Sequence, residues 1–237
     1  LLITNAFAST ILGTGTGALI GNDLSDPANT RDNTAGTTTA SAIPALWVSA
    51  SASSEPGFSP AEGSERAFDI FDNTVGSGTA KWCCDSAPQS LAIELSDQYV
   101  LTHFTIASGN DVPSRDPELW STDGSNDGTN WTPIYTYNHS RTSPFSARLQ
   151  VIRSDGNGTD FPTPAAYRWY RYNAVSTVAD GGLHQVNEIE LFGDNYTIGG
   201  DVSGLVGSGL VLQNNGAGDL AIAADGSFTL TTPQADG

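Results

Sequence analysis

Short alternating runs of apolar and polar residues, each closed off by Gly, Pro, Asn or Asp, recur from residue 91 to the end of the chain, and no stretch sustains a helical period. Period-two alternation places every second side chain on one face of a pleated strand, so this pattern commits the chain to sheets with a buried face. Ser90 to Leu95 sets Leu91, Ile93 and Leu95 on one side, and Val100 to Ala107 does the same with Phe104 and Ile106. Tyr167 to Tyr172 and Val186 to Phe192 read as later strands of the same sandwich, with Ala147 to Ile152 as a further candidate. Asp155 to Thr163 is too rich in Gly, Asp and Pro to be anything but a loop. The fold class expected is all-β.

The region ahead of these strands is organised differently. Leu1 to Ile20 scatters apolar residues among small ones, and Gly13, Gly15 and Gly17 would each weaken a helix, so the segment reads as an extended arm or edge strand. Asn22 to Thr39 is dominated by Asn, Asp, Thr and Gly and reads as a long surface loop. A chain of 237 residues has room for one large domain or two ordinary ones.

Charge excludes some partners. Nine Lys and Arg stand against 26 Asp and Glu, a formal charge of -17, which repels nucleic-acid phosphates and anionic lipid headgroups. Neutral or cationic molecules and metal ions are the partners expected. No apolar run approaches the ~20 residues that span a bilayer as a helix, so no membrane insertion is expected. Leu1 in place of a starting Met reads as a processed end or the edge of a fragment, consistent with a secreted or cell-surface protein of bacterial type. The only two cysteines are the neighbours Cys83 and Cys84, which fit either a vicinal disulfide or two buried thiols.

The residues of catalysis are not assembled in any familiar spacing. His103, His139 and His184 lack a second histidine at metal-binding distance, and no Gly-x-Ser-x-Gly elbow is present. Acidic residues abound by composition alone, so no glycosidase pair can be singled out. The chain is read as a non-enzyme.

Three motifs carry a family resemblance. Arg66-Ala67-Phe68-Asp69 is followed by Asp72-Asn73-Thr74 and by Lys81-Trp82. Farther on come Gly124-Ser125-Asn126-Asp127-Gly128-Thr129-Asn130-Trp131 and the run Asn187-Glu188-Ile189-Glu190-Leu191-Phe192. In this order they resemble the discoidin domain, also called the coagulation factor 5/8 type C domain, over residues 45–194. The resemblance implies a jelly-roll β-sandwich similar to bacterial carbohydrate-binding modules. Residue chemistry agrees with it at the turn, where Asn126, Asp127 and Gly128 tolerate left-handed backbone and Trp131 can fold against the sandwich.

The same resemblance implies a structural calcium ion. Its ligands would be the side chains of Asp69 and Glu188, the Thr74 hydroxyl and the carbonyls of Arg66 and Asn187. Ile70-Phe71-Asp72 departs from the family's usual Gly after the Asp, so Asp72 replaces or joins a ligand. An oxygen-rich loop of Asp, Asn and Thr suits calcium chemically.

Sugar-binding members of the family use loops at one end of the sandwich. The loop Ser108 to Pro117 offers Asn110, Asp111 and Arg115, an amide, a carboxylate and a guanidinium suited to hydroxyl recognition. An ion pair of Arg115 with Asp111 or Asp116 is the structural alternative for that arginine. Tyr137, His139 and Arg141 form a second polar and aromatic cluster.

After residue 194, Tyr196 to Leu205, Gly209 to Gly216 and Gly226 to Leu230 suggest three or four short strands that resemble the first half of a bacterial immunoglobulin-like repeat. The organisation expected is thus an arm over 1–20, a discoidin-like sandwich over 21–194 and an incomplete β domain over 195–237. Two functions follow as expectations. One is an extracellular module that binds glycans, such as cell-surface polysaccharide, and is stabilised by calcium. The other is a subunit of an extracellular filament or surface matrix, self-associating through donation of the arm as a strand to the incomplete domain of the next copy.

Overall fold

A computed structural model describes residues 9–25, 46–54, 65–76, 80–195, 198–214 and 217–230. Among the described residues, ten strands build the principal domain: β1 Thr10–Thr14, β2 Trp47–Ala52, β3 Trp82–Ser86, β4 Gln89–Ala107, β5 Pro117–Ser125, β6 Thr132–Asn138, β7 Gln150–Asp155, β8 Tyr167–Thr177, β9 Leu183–Val186 and β10 Glu188–Asp194. Four short strands follow: β11 Gly199–Val202, β12 Leu210–Asn214, β13 Ala217–Ile222 and β14 Gly226–Thr229. The all-β class expected from alternation is the one observed, in the jelly-roll form that the resemblance implies.

The long β4 organises the sandwich because its two halves pair with different strands. Gln89 to Leu95 lies between β2 and β8, with Ile93 opposite Ala50 and Tyr170, while Val100 to Ala107 lies between β7 and β10. A register shift between Glu94 and Tyr99 marks the changeover. The strands read as separate runs over 90–95 and 100–107 are therefore one element that passes from one layer to the other. β8 continues the first layer through β5 to β6, and β7 continues the second to β1. Both inner faces meet in one core, where Phe104 packs edge-on to Trp120 and Tyr135. Asn187 interrupts the run expected as a single strand over 186–192, so β9 ends at Val186 and β10 starts at Glu188.

The described part of the arm is docked on its own domain. β1 pairs antiparallel with β7, from Thr10 opposite Arg153 to Thr14 opposite Gln150. Farther along, the buried Glu190 carboxylate accepts the backbone N–H groups of Ile20 at 3.0 Å and Gly21 at 2.6 Å, together with the Thr105 hydroxyl at 2.7 Å. The start of the expected surface loop is also drawn inward. Asp23, Leu24 and Ser25 are buried, and Leu24 donates its N–H to the Leu191 carbonyl at 2.7 Å. Residues 1–8 and 26–45 lie outside the described residues.

The C-terminal strands form two separate antiparallel ribbons, β11 with β14 and β12 with β13. Among the described residues they do not amount to the seven strands of an immunoglobulin-like sandwich. Val206 is 97% exposed and Ile198 and Val211 about half as much, so this part buries little of its apolar surface.

Candidate functional site

At one end of the sandwich, the loop from Ser108 to Pro117 is held from beneath by Lys81, just ahead of β3, and by Gln185 of β9. Lys81, immediately before β3, is only 1% exposed, and its ammonium donates to Asn110 Oδ1 at 2.8 Å and Asp111 Oδ1 at 2.9 Å. The Glu65 carboxylate stands 3.6 Å from the same nitrogen. A buried ammonium is tolerated only when its donors are satisfied, and here that requirement fixes the loop. Gln185 of β9 adds to it, donating Nε2 to the carbonyls of Asp111 at 2.9 Å and Val112 at 3.0 Å. It crosses directly against Gly109, where an added Cβ would lie 2.5 Å from the glutamine Cδ.

The far end of the loop is tied by Asp116, which is fully buried. Arg148 donates Nη1 to Asp116 Oδ1 at 2.7 Å and to the Asp111 carbonyl at 3.2 Å, and Ser143 donates its hydroxyl to Asp116 Oδ2 at 2.6 Å. Asp116 is therefore the partner of Arg148. Arg115 is left beside Asp111 at 4.0 Å, the limit of an ion pair. Its closer neighbours are sulfurs: Cys83 and Cys84 form a disulfide, and Arg115 Nη1 stands 3.5 Å from Cys84 Sγ and 3.8 Å from Cys83 Sγ. Of the two alternatives for these cysteines, the vicinal disulfide is the one observed.

Asn110, Asp111 and Arg115 lie together on a loop whose backbone is tied down by buried polar contacts. Val112 in the same loop is 40% exposed. Trp82 and His184 form the packed layer beneath, with ring centroids 5.0 Å apart. Burial pushes the His184 imidazole down to about 3, and its Nε2 lies 2.9 Å from the Tyr172 hydroxyl, so this histidine is a neutral core group.

The second cluster is kept in part: the Tyr137 and His139 rings stand 4.8 Å apart, while Arg141 turns to other partners. Tyr137 is only 4% exposed, stacks on Trp120 and donates its hydroxyl to the Thr142 carbonyl at 3.1 Å. Burial raises that phenol to about 12. Alternation along β6 turns Tyr137 into the core. His139 and Arg141 lie on the surface, where the Arg141 guanidinium pairs with Asp180 and its backbone N–H donates to Glu118 at 2.9 Å.

A separate seam joins the 66–76 segment to the start of β10. Asp69, in the short 3-10 turn Ala67–Phe71, is fully buried and accepts the Arg66 N–H at 3.0 Å. Glu188, 1% exposed, accepts the Thr74 N–H at 3.1 Å, and the Thr74 hydroxyl donates to the Asp72 carbonyl at 3.3 Å. The Asn187 amide brackets Gly76, donating to its carbonyl at 2.9 Å and accepting its N–H at 3.2 Å. Burial first, then the negative charge of Asp72, raises the Glu188 carboxyl well above the usual carboxylate range. Thr74, Asn187 and Glu188 meet at this seam and the Asp72 charge acts on Glu188, while Asp69 accepts the Arg66 N–H within its own turn. Their donors are hard oxygens around an energetically costly buried carboxylate, the chemistry a calcium ion suits.

Sequence reasoning missed Lys81, Gln185, Glu65 and Glu190 as organising residues. Lys81 was visible inside a motif, but its burial depends on partners 29 and 104 residues away, Asn110 and Gln185.

Among solved structures, the chain is similar to the module CpGH89CBM32-5 from Clostridium perfringens, in complex with GalNAc-β-1,3-galactose. Identity is 19%, over 60% of this chain and 93% of that one, with a TM-score of 0.46. A family 32 carbohydrate-binding module of NanJ from the same organism, in complex with galactose, is 18% identical over 60% of this chain and 90% of its own, with a TM-score of 0.43. The C-terminal domain of a chitobiase from Bacteroides fragilis is 15% identical over 61% and 91%, with a TM-score of 0.45. No family model matches the sequence, and no curated protein matches it.

Proposed function

We propose that the chain is an extracellular, non-catalytic carbohydrate-binding module of the discoidin type, with its site on the 108–117 loop and a structural calcium ion at the 66–76 seam. The observation that carries the reading is the fixed loop. Asn110 and Asp111 are held by a buried lysine, and Arg115 stands over the disulfide, so an amide, a carboxylate and a guanidinium meet on one rigid rim. Rigid polar groups of both donor and acceptor kind suit sugar hydroxyls, because binding then costs little ordering of the protein. The disulfide supports an extracellular setting, where such bonds persist.

Calcium would be held by the carboxylates of Asp69, Asp72 and Glu188 with the Thr74 hydroxyl and the carbonyls of Arg66 and Asn187. It would supply positive charge that joins the seam and takes no part in chemistry.

The test is an array of neutral and cationic glycans, followed by titration calorimetry on the ligands retained. Binding in the micromolar to millimolar range is expected. Arg115→Ala should weaken it by about tenfold or more, as loss of a charged hydrogen bond costs about 1.5–3 kcal/mol. Unchanged affinity in that variant would place the site elsewhere. A chain that retains no glycan would sink the reading.

A further inference from the structure

The Ser108 to Pro117 loop presents polar groups but no aromatic ring. The rings beneath it, Trp82 and His184, are 0% and 1% exposed, so neither offers a face to a ligand. A pyranose has a C–H face as well as hydroxyls, and that face needs an apolar surface to rest on. What stands next to Arg115 is the Cys83–Cys84 disulfide. Cys83 is fully buried and Cys84 half-buried, and both sulfurs lie within 4 Å of the Arg115 guanidinium, at 3.8 and 3.5 Å. The Glu65 carboxylate and the two sulfurs are all within 4.8 Å of one another. Charged groups of both signs, Glu65 and Arg115, therefore lie close to the sulfurs.

The disulfide is anchored by the residues that fix the loop. Lys81 and Trp82 precede it and are buried, and Cys83 pairs with Gln185, whose amide holds the Asp111 and Val112 carbonyls. The sulfurs, Arg115, Asn110 and Asp111 thus share one rigid frame. A disulfide between neighbouring residues closes a small ring that cannot swing away, and sulfur is polarisable and weakly hydrated, so it can serve as a floor in place of an aromatic face.

We propose that the partly exposed Cys84 end of the Cys83–Cys84 disulfide is the apolar floor of the carbohydrate site, with Arg115 and Asp111 as its polar rim, so that glycan binding depends on the oxidised state. The inference rests on the carbohydrate reading above. Reduction by a dithiol transfers two electrons and two protons: the S–S bond breaks, two thiols form, and the dithiol closes to its own disulfide. The sulfurs then rotate independently and the floor is lost together with the seat of Arg115.

The experiment uses the intact chain and the tightest-binding member of a panel containing galactose, N-acetylgalactosamine, the disaccharide GalNAc-β-1,3-galactose and chitosan oligosaccharide. Affinity is measured on oxidised, dithiothreitol-reduced and reoxidised protein, with thiols counted and the thermal transition recorded in each state. A loss of about tenfold or more on reduction, restored on reoxidation, is expected. In parallel, the rate at which dithiothreitol releases thiols is followed with and without saturating sugar, which needs no variant and no refolding. A bound ring resting on the Cys84 end should slow it severalfold. Full affinity in the reduced protein, or a release rate that sugar leaves unchanged, overturns the proposal while the carbohydrate reading stands. Absence of binding to every sugar of the panel in the oxidised protein overturns both.

Discussion

Gly109 is the residue on which the geometry of the loop turns. Its missing side chain leaves room for Gln185, whose Cδ and Nε2 would lie 2.5 and 2.7 Å from an added Cβ. Gln185 cannot yield without releasing the carbonyls of Asp111 and Val112, and these set the position of the rim. Gly109→Ala should therefore destabilise the fold by about 1–3 kcal/mol, the usual cost of overpacking, and weaken sugar binding in the molecules that remain folded. Gly17→Ala is the matched control, since nothing lies within 4 Å of its added Cβ, and it should stay within about 0.5 kcal/mol of the parent. Thermal melts and calorimetry on both variants decide the matter. Equal behaviour of the two would mean that Gln185 does not order the loop.

At the scale of elements, β10 is the strand that draws distant segments together. It pairs with β4 from Glu188 opposite Ala107 to Asp194 opposite Val100, receives the 66–76 segment on Glu188 and secures the arm through Glu190. Calcium at this seam should raise the melting temperature, and a chelator should lower it. At a free concentration 100-fold above Kd the gain is about 2.7 kcal/mol, or about 5–10 °C for a domain of this size. The pH dependence has a definite sign. Burial and the Asp72 charge raise the Glu188 carboxyl in the folded chain, so without metal its contribution to stability is intact below the unfolded pKa and is lost as pH rises through the folded one. Bound calcium would offset that loss, so on the calcium proposal its effect should be larger at pH 8 than at pH 5 and should vanish in Glu188→Gln. A melting curve indifferent to chelator at both values would refute the calcium proposal. The meeting of the 66–76 segment with Asn187 and Glu188 was legible in the sequence because both sit in short motifs. The docking of the arm was not, since it depends on Glu190 meeting Ile20 and Gly21 across about 170 positions. Alternation likewise revealed both halves of β4 but not that they are one strand, because the passage between layers is a property of pairing partners rather than of local pattern. The polar rim was legible as a loop, whereas its buried support was not, because a lysine in sequence reads as surface.

For the molecule as a whole, the charge of -17 acts on ligands before any contact is made. Immediately around the rim the formal charges nearly cancel, with Lys81 and Arg115 against Glu65 and Asp111. A neutral sugar should thus feel little of the field, and its affinity should not change with salt. A uronate oligomer approaches a strongly anionic body, and a chitosan oligomer carries the opposite sign. Raising ionic strength from about 0.01 M to about 0.1 M shortens the screening length from about 30 to about 10 Å, which removes most of the long-range field and leaves the rim contacts untouched. Over that range the association rate of the chitosan oligomer should fall, that of the uronate oligomer should rise, and that of a galactoside should hold constant, as read by stopped-flow or surface plasmon resonance. If the uronate instead binds fastest at low salt, local cation charge at Arg115 governs encounter and the net charge does not. That outcome would move the expected ligand from neutral glycans to acidic ones while leaving the site in place.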